Sequence, residues 1–177
     1  MLLVTMASLL TVGLAVHADE TATQDKQTRE RIGTYDSRAV AVAYAGSALH
    51  NKSISTLMRD HEKVKAAEDQ KRVAALEVEG AARQQLMHKQ GFSTAPVDNI
   101  LEQIKGRLPA IKEEAGVTDL VSKWDKASLA KYKDAELVDV TMALVDAFSP
   151  NDRQRKSAIE IQKHDPIPLE QAENIKN

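Results

Sequence analysis

The strongest constraint on this chain is an apolar periodicity of three and four that runs, free of proline, over residues 37–67 and returns over residues 70–87. Val40, Ala43, Leu49, Ile54, Leu57, Met58 and Val64 mark the first stretch, and Val73, Leu76, Ala82, Leu86 and Met87 the second. Such spacing places apolar side chains on one face of an α-helix. Asp36 and Ser37 are N-cap residue types for the first helix and Asp69 for the second, so the interruption at Ala66, Ala67, Glu68, Asp69 and Gln70 reads as the tip of a helical hairpin. With only 3% aromatic residues, two helices of this length cannot bury both faces against a small sheet. Their narrow Leu/Val/Ala stripe suits antiparallel coiled-coil packing, and oligomerisation is the natural remedy for the surface that stays exposed.

The rest of the chain is shorter in period. Ile32, Gly33, Thr34 and Tyr35 form a β-like stretch before the first helix. Gly91 and Pro96 bracket a break on the returning helix, either a hinge or an element boundary, and Ser93 or Thr94 is placed to cap the next helix. That third helix is expected through Val97, Ile100, Leu101, Ile104, Leu108 and Ile111, kinked by Gly106 and Pro109 and closed by Gly116. Residues 119–124 then read as a strand, residues 128–132 as a strand pairing back on it, and residues 137–140 as a further short strand. Thr141 is expected to cap a helix ending near Phe148, residues 153–163 a last helix, and residues 164–177 an extended tail. The fold class expected is α+β, a long helical hairpin projecting from a small β body.

Composition removes several functions. The chain has 177 residues, which suits one domain with extensions. A net charge of −2 without a Lys/Arg cluster argues against a nucleic-acid binder. The absence of cysteine excludes disulfides, thiolate metal sites and a Cys nucleophile. Residues 1–18 hold no charged side chain and end in Val16, His17 and Ala18, as a signal segment cleaved before Asp19 would; an uncleaved membrane anchor is the weaker reading. Residues 19–30 are polar and aperiodic, a disordered leader. The domain proper is then residues 31–148, with arms over about 37–116, followed by residues 149–177.

Taken in order, Arg31, Ile32, Gly33, Thr34, Tyr35, Asp36 and Ser37, the tip at residues 65–73, the stretch from Asp119 to Trp124, and Val138, Asp139, Val140 and Thr141 resemble the Skp/OmpH family of periplasmic chaperones. The resemblance implies a homotrimer whose short strands share a β body, Ile32, Tyr35, Leu120, Val121, Trp124, Val138 and Val140 among its residues. It implies helical arms over residues 47–89 that enclose unfolded outer-membrane or envelope proteins, without ATP or any cofactor, in the periplasm and near its membranes. The family's best-known chaperones are strongly basic, whereas here only residues 47–96 carry a positive balance, +2.

On the arms, Met58, Met87 and Phe92 offer an adaptable surface for clients, and Lys63, Lys65, Lys71 and Arg72 a modest attraction for acidic segments. The plainer readings are that Met58 and Met87 pack between the helices and that the cations are a solvated face. Trp124 is read as a core or subunit-interface residue rather than a hot spot. His61 lies between Asp60 and Glu62, but neighbours on a helix point apart and the i,i+4 pair of a zinc site is absent, so no metal is expected. No G-x-S-x-G, P-loop or H-E-x-x-H motif occurs, so the chain is not expected to be an enzyme; a hydrolase would need a pocket with convergent polar groups. The expected function is an ATP-independent holdase, with an envelope scaffold protein as the alternative.

Overall fold

The computed structural model describes residues 29–175, so the expected signal segment and all but the last two residues of the leader lie outside the described part. The chain mixes helices with one small sheet, an α+β arrangement. Three strands, β1 (Arg31–Tyr35), β2 (Asp119–Ser122) and β3 (Glu136–Asp139), lie in the order β2-β1-β3, and both pairings are parallel. Gly33 sits opposite Leu120 on one side and Val138 on the other. A central parallel strand is covered on both faces, and accordingly both Ile32 and Gly33 are buried. Gly33 is there because the space is taken: a Cβ would lie 2.8 Å from Leu120 Cδ2 and 3.1 Å from the Cγ2 atoms of Val117 and Val140.

Helix α1 (Ser37–Ala45) follows β1 after a single residue. Its Ala-rich sequence allows close approach on several sides, and Ala39, Val40, Ala41 and Ala43 are all buried. The helix expected to continue to residue 67 ends at Gly46 instead. The side-chain Oγ of Ser47 accepts from His50 N–H and starts α2 (Ala48–Ala66), while Gln154 donates to the Gly46 carbonyl and fills the space beside it. The break is therefore made by a cap and a tertiary partner together. Residues 67–69 turn the chain, with Glu68 at a φ of 54°, and Asp69 caps α3 (Gln70–Phe92) by accepting from Arg72 N–H.

Beyond Phe92 the chain is extended, burying Ser93, Ala95 and Val97 alternately. The expected single kinked helix is three pieces: α4 (Asp98–Leu101), a 3-10 turn (Glu102–Ile104) and α5 (Leu108–Ala115). Pro109 has no N–H to extend the earlier helix, and it is tolerated at the second position of a new one. Neither Ser93 nor Thr94 caps α4; Val97 occupies that place without a side-chain bond. Gly116 closes α5 with a left-handed φ of 63°.

The strand expected over residues 119–124 stops at Ser122, whose Oγ accepts from Trp124 N–H. Residues 128–132 do not pair back. The Asp125 carboxylate accepts from Ser128 N–H and starts α6 (Lys126–Leu129), which runs into a 3-10 turn (Ala130–Tyr132). A helix cap thus overrides the apolar alternation. β3 begins one residue earlier than expected, and Thr141 is the first residue of α7 (Thr141–Asp146) rather than its cap.

The C-terminal region is an integral part of the body. A capping box between Asn151 and Gln154 opens α8 (Asp152–Ile161), which packs on α1 and buries Ala158 completely. The tail is not wholly extended: α9 (Leu169–Glu173) packs on α3, where Lys89 and Glu173 form an ion pair. Ile167 N–H donates to the Phe92 carbonyl (3.0 Å) and Ser93 Oγ to the Ile167 carbonyl (2.6 Å), so the tail clamps the break that ends α3. The core gathers Val40, Val97, Ile100, Val140, Leu144, Val145 and Phe148 between α1, the 97–104 segment and α7. Because Gly33 has no room for a side chain, Gly33→Ala is expected to lower the urea unfolding free energy by ~1–3 kcal/mol, measured by circular dichroism.

Candidate functional site

At the carboxyl end of the sheet all three strands converge on one carboxylate. Asp36 follows β1 and is fully buried. Its Oδ1 accepts from the Arg38 backbone N–H (3.0 Å), Arg38 Nε (3.2 Å) and Trp124 Nε1 (3.1 Å), and its Oδ2 from Arg38 Nη2 (2.9 Å) and Lys123 Nζ (2.7 Å). The Asp36 N–H donates to Thr141 Oγ1 (3.0 Å), and Arg38 Nη1 to the His164 carbonyl (2.8 Å). The Arg38 guanidinium lies 4.8 Å from the centre of the Trp124 ring, and Lys123 Nζ 5.1 Å. Burial pushes the Asp36 carboxyl up, but the hydrogen bonds from Arg38, Lys123 and Trp124 outweigh it and hold it below its ordinary value. With every lone pair engaged, this carboxylate is a joint rather than a proton-transfer group.

Beside β2 lies an open cleft of about 580 Å³. Asp98, Asp119 and Asp125 face it together with Tyr35, Trp124 and Tyr132. Burial, and then the charges of Asp98, Asp125 and Asp119, push the Tyr35 phenol up to about 12. Asp119 accepts from the Tyr132 hydroxyl (3.0 Å) and Asp125 caps α6, so two of the three carboxylates are committed to local structure. No histidine lines the cleft, and a Ser-His-Asp arrangement is not assembled there.

Helices α2 and α3 run antiparallel: His61 Nε2 stands 3.4 Å from Glu77 Oε1, and Arg83 Nη1 donates to Ser53 Oγ at 3.1 Å. Ile54, Leu57, His61 and Val64 on α2 turn inward, as do Val73, Leu76 and Gly80 on α3; Leu76 alone of these is buried. No residue of α2 is buried, and α3 buries only Leu76, Gln90 and Gly91. Leu49, Met58, Val78, Leu86 and Phe92 all stay more than 40% exposed. Met58, at 64%, does not pack between the helices as one reading supposed, because Leu57 takes the inward position. Met87 is half-buried. Lys63, Lys65, Lys71 and Arg72 surround the turn and are exposed, whereas toward the other end of α3 Met87 lies about 22 Å and Phe92 about 30 Å from Arg72 at 1.5 Å per residue. The predicted client residues thus do not form one cluster: the cations lie at the turn, Met58 part-way along α2, and Met87 and Phe92 toward the end of α3. His61 meets only Glu62 and Glu77, and no cluster of three possible metal ligands occurs among the described residues.

Of the residues expected in an oligomer body, Ile32, Tyr35, Val121 and Val140 are covered by their own chain, while Leu120, Trp124 and Val138 are half-buried. Sequence reasoning missed the roles of Arg38, Lys123 and Thr141, and saw Asp36 only as a cap. The one local signal was a cation two residues after that cap, in an otherwise Ala/Val helix. Comparison of the chain with protein-family models, with curated proteins and with solved structures found no match.

Asp36→Asn removes the charge that Arg38 and Lys123 neutralise, and breaking a buried pair costs ~3–5 kcal/mol. The native Asp36 pKa lies below the unfolded value of about 3.9, so its contribution is complete above that pH and is lost as pH falls through the lower, folded value. Urea titrations at pH 7 and at decreasing acid pH are expected to show a large difference between wild type and Asp36→Asn that shrinks in acid.

Proposed function

We propose that this protein is an ATP-independent periplasmic holdase, built on the plan of the Skp/OmpH chaperones, that works as a homotrimer. In this reading α2 and α3 are arms projecting from a small β body, and three pairs of arms enclose an unfolded outer-membrane or envelope protein. The observation that carries it is the poor burial of 42 helical residues: 19 in α2 with none buried and 23 in α3 with three buried. Met58, Val78 and Phe92 are among the side chains these helices leave exposed, and Met58 and Phe92 offer adaptable apolar contact to a client.

Two further features support the reading. Among the described residues β2 and β3 each pair only with β1, so both sheet edges are open, and Leu137 on β3 is 53% exposed. Subunits would join through these edges, since Ile32 and Val140 are already covered. The exposed cations Lys63, Lys65, Lys71 and Arg72 cluster at the turn and give acidic client segments a weak attraction that salt screens. No cofactor enters this mechanism: many weak contacts with the arms replace the client's contacts with itself.

Light scattering of the protein, alone and after adding an outer-membrane protein diluted from urea, tests assembly and holding together. A trimer that gains client mass is expected; a monomer overturns the enclosure, and a trimer indifferent to client makes the protein an envelope scaffold. The double substitution of Met58→Glu and Phe92→Glu is expected to keep the oligomer mass and weaken client protection roughly tenfold or more, since burying each apolar side chain contributes ~1.5–3 kcal/mol.

A further inference from the structure

The cleft beside β2 lies at the carboxyl end of the sheet, the end at which open parallel sheets take their ligands. Tyr35 closes β1, Ser122 closes β2, and both line it. Tyr35 is only 6% exposed. Among the described residues its hydroxyl has no hydrogen-bond partner, unlike that of Tyr132, which donates to Asp119. The side-chain atoms there that are both unpartnered and sealed from solvent are Ser37 Oγ, His88 Nδ1 and Gln90 Oε1. The Tyr35 oxygen is not one of them, so it keeps access to the cleft. A nearly buried hydroxyl that the chain leaves unused, open to a space of about 580 Å³, calls for a partner from outside.

The charge of that partner is set by the lining. Asp98, Asp119 and Asp125 face the cleft against one cation, Lys131, so negative charge is in excess by two. Lys123 does not offset it, because its Nζ is held on Asp36. Burial first, and then the charges of Asp98, Asp125 and Asp119, push the Tyr35 phenol up to about 12, so the hydroxyl stays neutral and Asp98 is the carboxylate that acts on it most strongly. Asp119 is engaged through both oxygens, by Tyr132 and by Leu120 N–H, and Asp125 by Ser128. The Asp98 side chain is exposed and makes no hydrogen bond or ion pair among the described residues. No three possible metal ligands come together among the described residues, so these carboxylates are too dispersed to cage a metal ion. With the Tyr35 and Tyr132 rings beside them, they suit a larger organic cation.

We infer that this cleft binds a primary alkylammonium ion, the group shared by free diamines and lysine side chains, its head donating to the Tyr35 hydroxyl and its charge balanced by Asp98 foremost. Asp119 and Asp125 add attraction through space and need not touch the ligand. A compact head with three donors makes its one direct bond to the Tyr35 oxygen and keeps the others for water at the open side of the cleft. The site needs neither a trimer nor a cavity between arms, so it stands or falls apart from the holdase reading.

Trp124 is the single tryptophan of the chain and lines the cleft, so its fluorescence reports occupancy. The test is a fluorescence and calorimetric titration of the full chain, at low and at physiological salt, with putrescine, with a lysine tripeptide blocked at both ends, and with butanediol as the neutral analogue of putrescine. Saturable binding of putrescine, of the peptide or of both is expected, with none of butanediol. Tyr35→Phe is expected to weaken it about tenfold, the effect of one hydrogen bond to a charged group, and Asp98→Asn about fivefold, less as salt rises. Tyr35→Phe keeps the ring and its packing, and Asp98 is on the surface; melting curves check both variants, and either one decides alone if the other does not fold. Binding of putrescine alone assigns the site to free diamines, and binding of the peptide alone to lysine side chains. No saturable signal and no heat up to about 10 mM of either amine, equal displacement by magnesium ions, an equal response to butanediol, or undiminished affinity in a folded variant overturns the inference and leaves the cleft to water and counterions.

Discussion

The buried Asp36 carboxylate is the constraint on which the rest of this structure depends. Three parallel strands of four or five residues form too small a sheet to hold its own ends together, and β1 and β2 are separated in sequence by five α-helices. Asp36 joins them by drawing Lys123 and Trp124 from the end of β2 and, through its own N–H, Thr141 from the end of β3. Arg38 compensates the charge and reaches on to the His164 carbonyl, so the C-terminal region is fastened to the same point. Such a joint is stable because every donor and acceptor is matched; losing one partner would strand a charge in the interior.

The same economy explains the contrast between base and helices. Most buried apolar side chains belong to the base, around α1, the 97–104 segment and α7. Helices α2 and α3 share only a thin seam with each other. Buried apolar side chains concentrate in the base, whereas α2 and α3 leave Leu49, Met58, Val78, Leu86 and Phe92 exposed.

Much of the helical layout was legible because caps and periodicity are local. Asp36 and Asp69, both read as caps, each accept a hydrogen bond from a backbone N–H two or three residues on; Ser47, Asp125 and Asn151 do the same without having been read so. Reading went wrong where two local signals competed: residues 128–132 alternate like a strand, yet the cap at Asp125 made them helical. It was also incomplete where a distant residue decided, as Gln154 does at Gly46 and Ile167 at Ser93. Of the candidate sites, Met58 lay on the predicted stripe but Val78 did not, and the cluster around Asp36 was not legible because Lys123, Trp124 and Thr141 lie far along the chain from it.

By itself the sequence determined the mixed class, the turn near residues 67–69 between helical segments, and strand segments near residues 32–35, 119–122 and 137–139, because each depends on interactions within a few residues. Tertiary structure alone decided that the strands are parallel with β1 in the middle, that Asp36 gathers their ends, and that the tail closes on α3. Those outcomes depend on which distant groups satisfy buried polar atoms and fill the space beside Gly33, and no local pattern specifies a partner one hundred residues away.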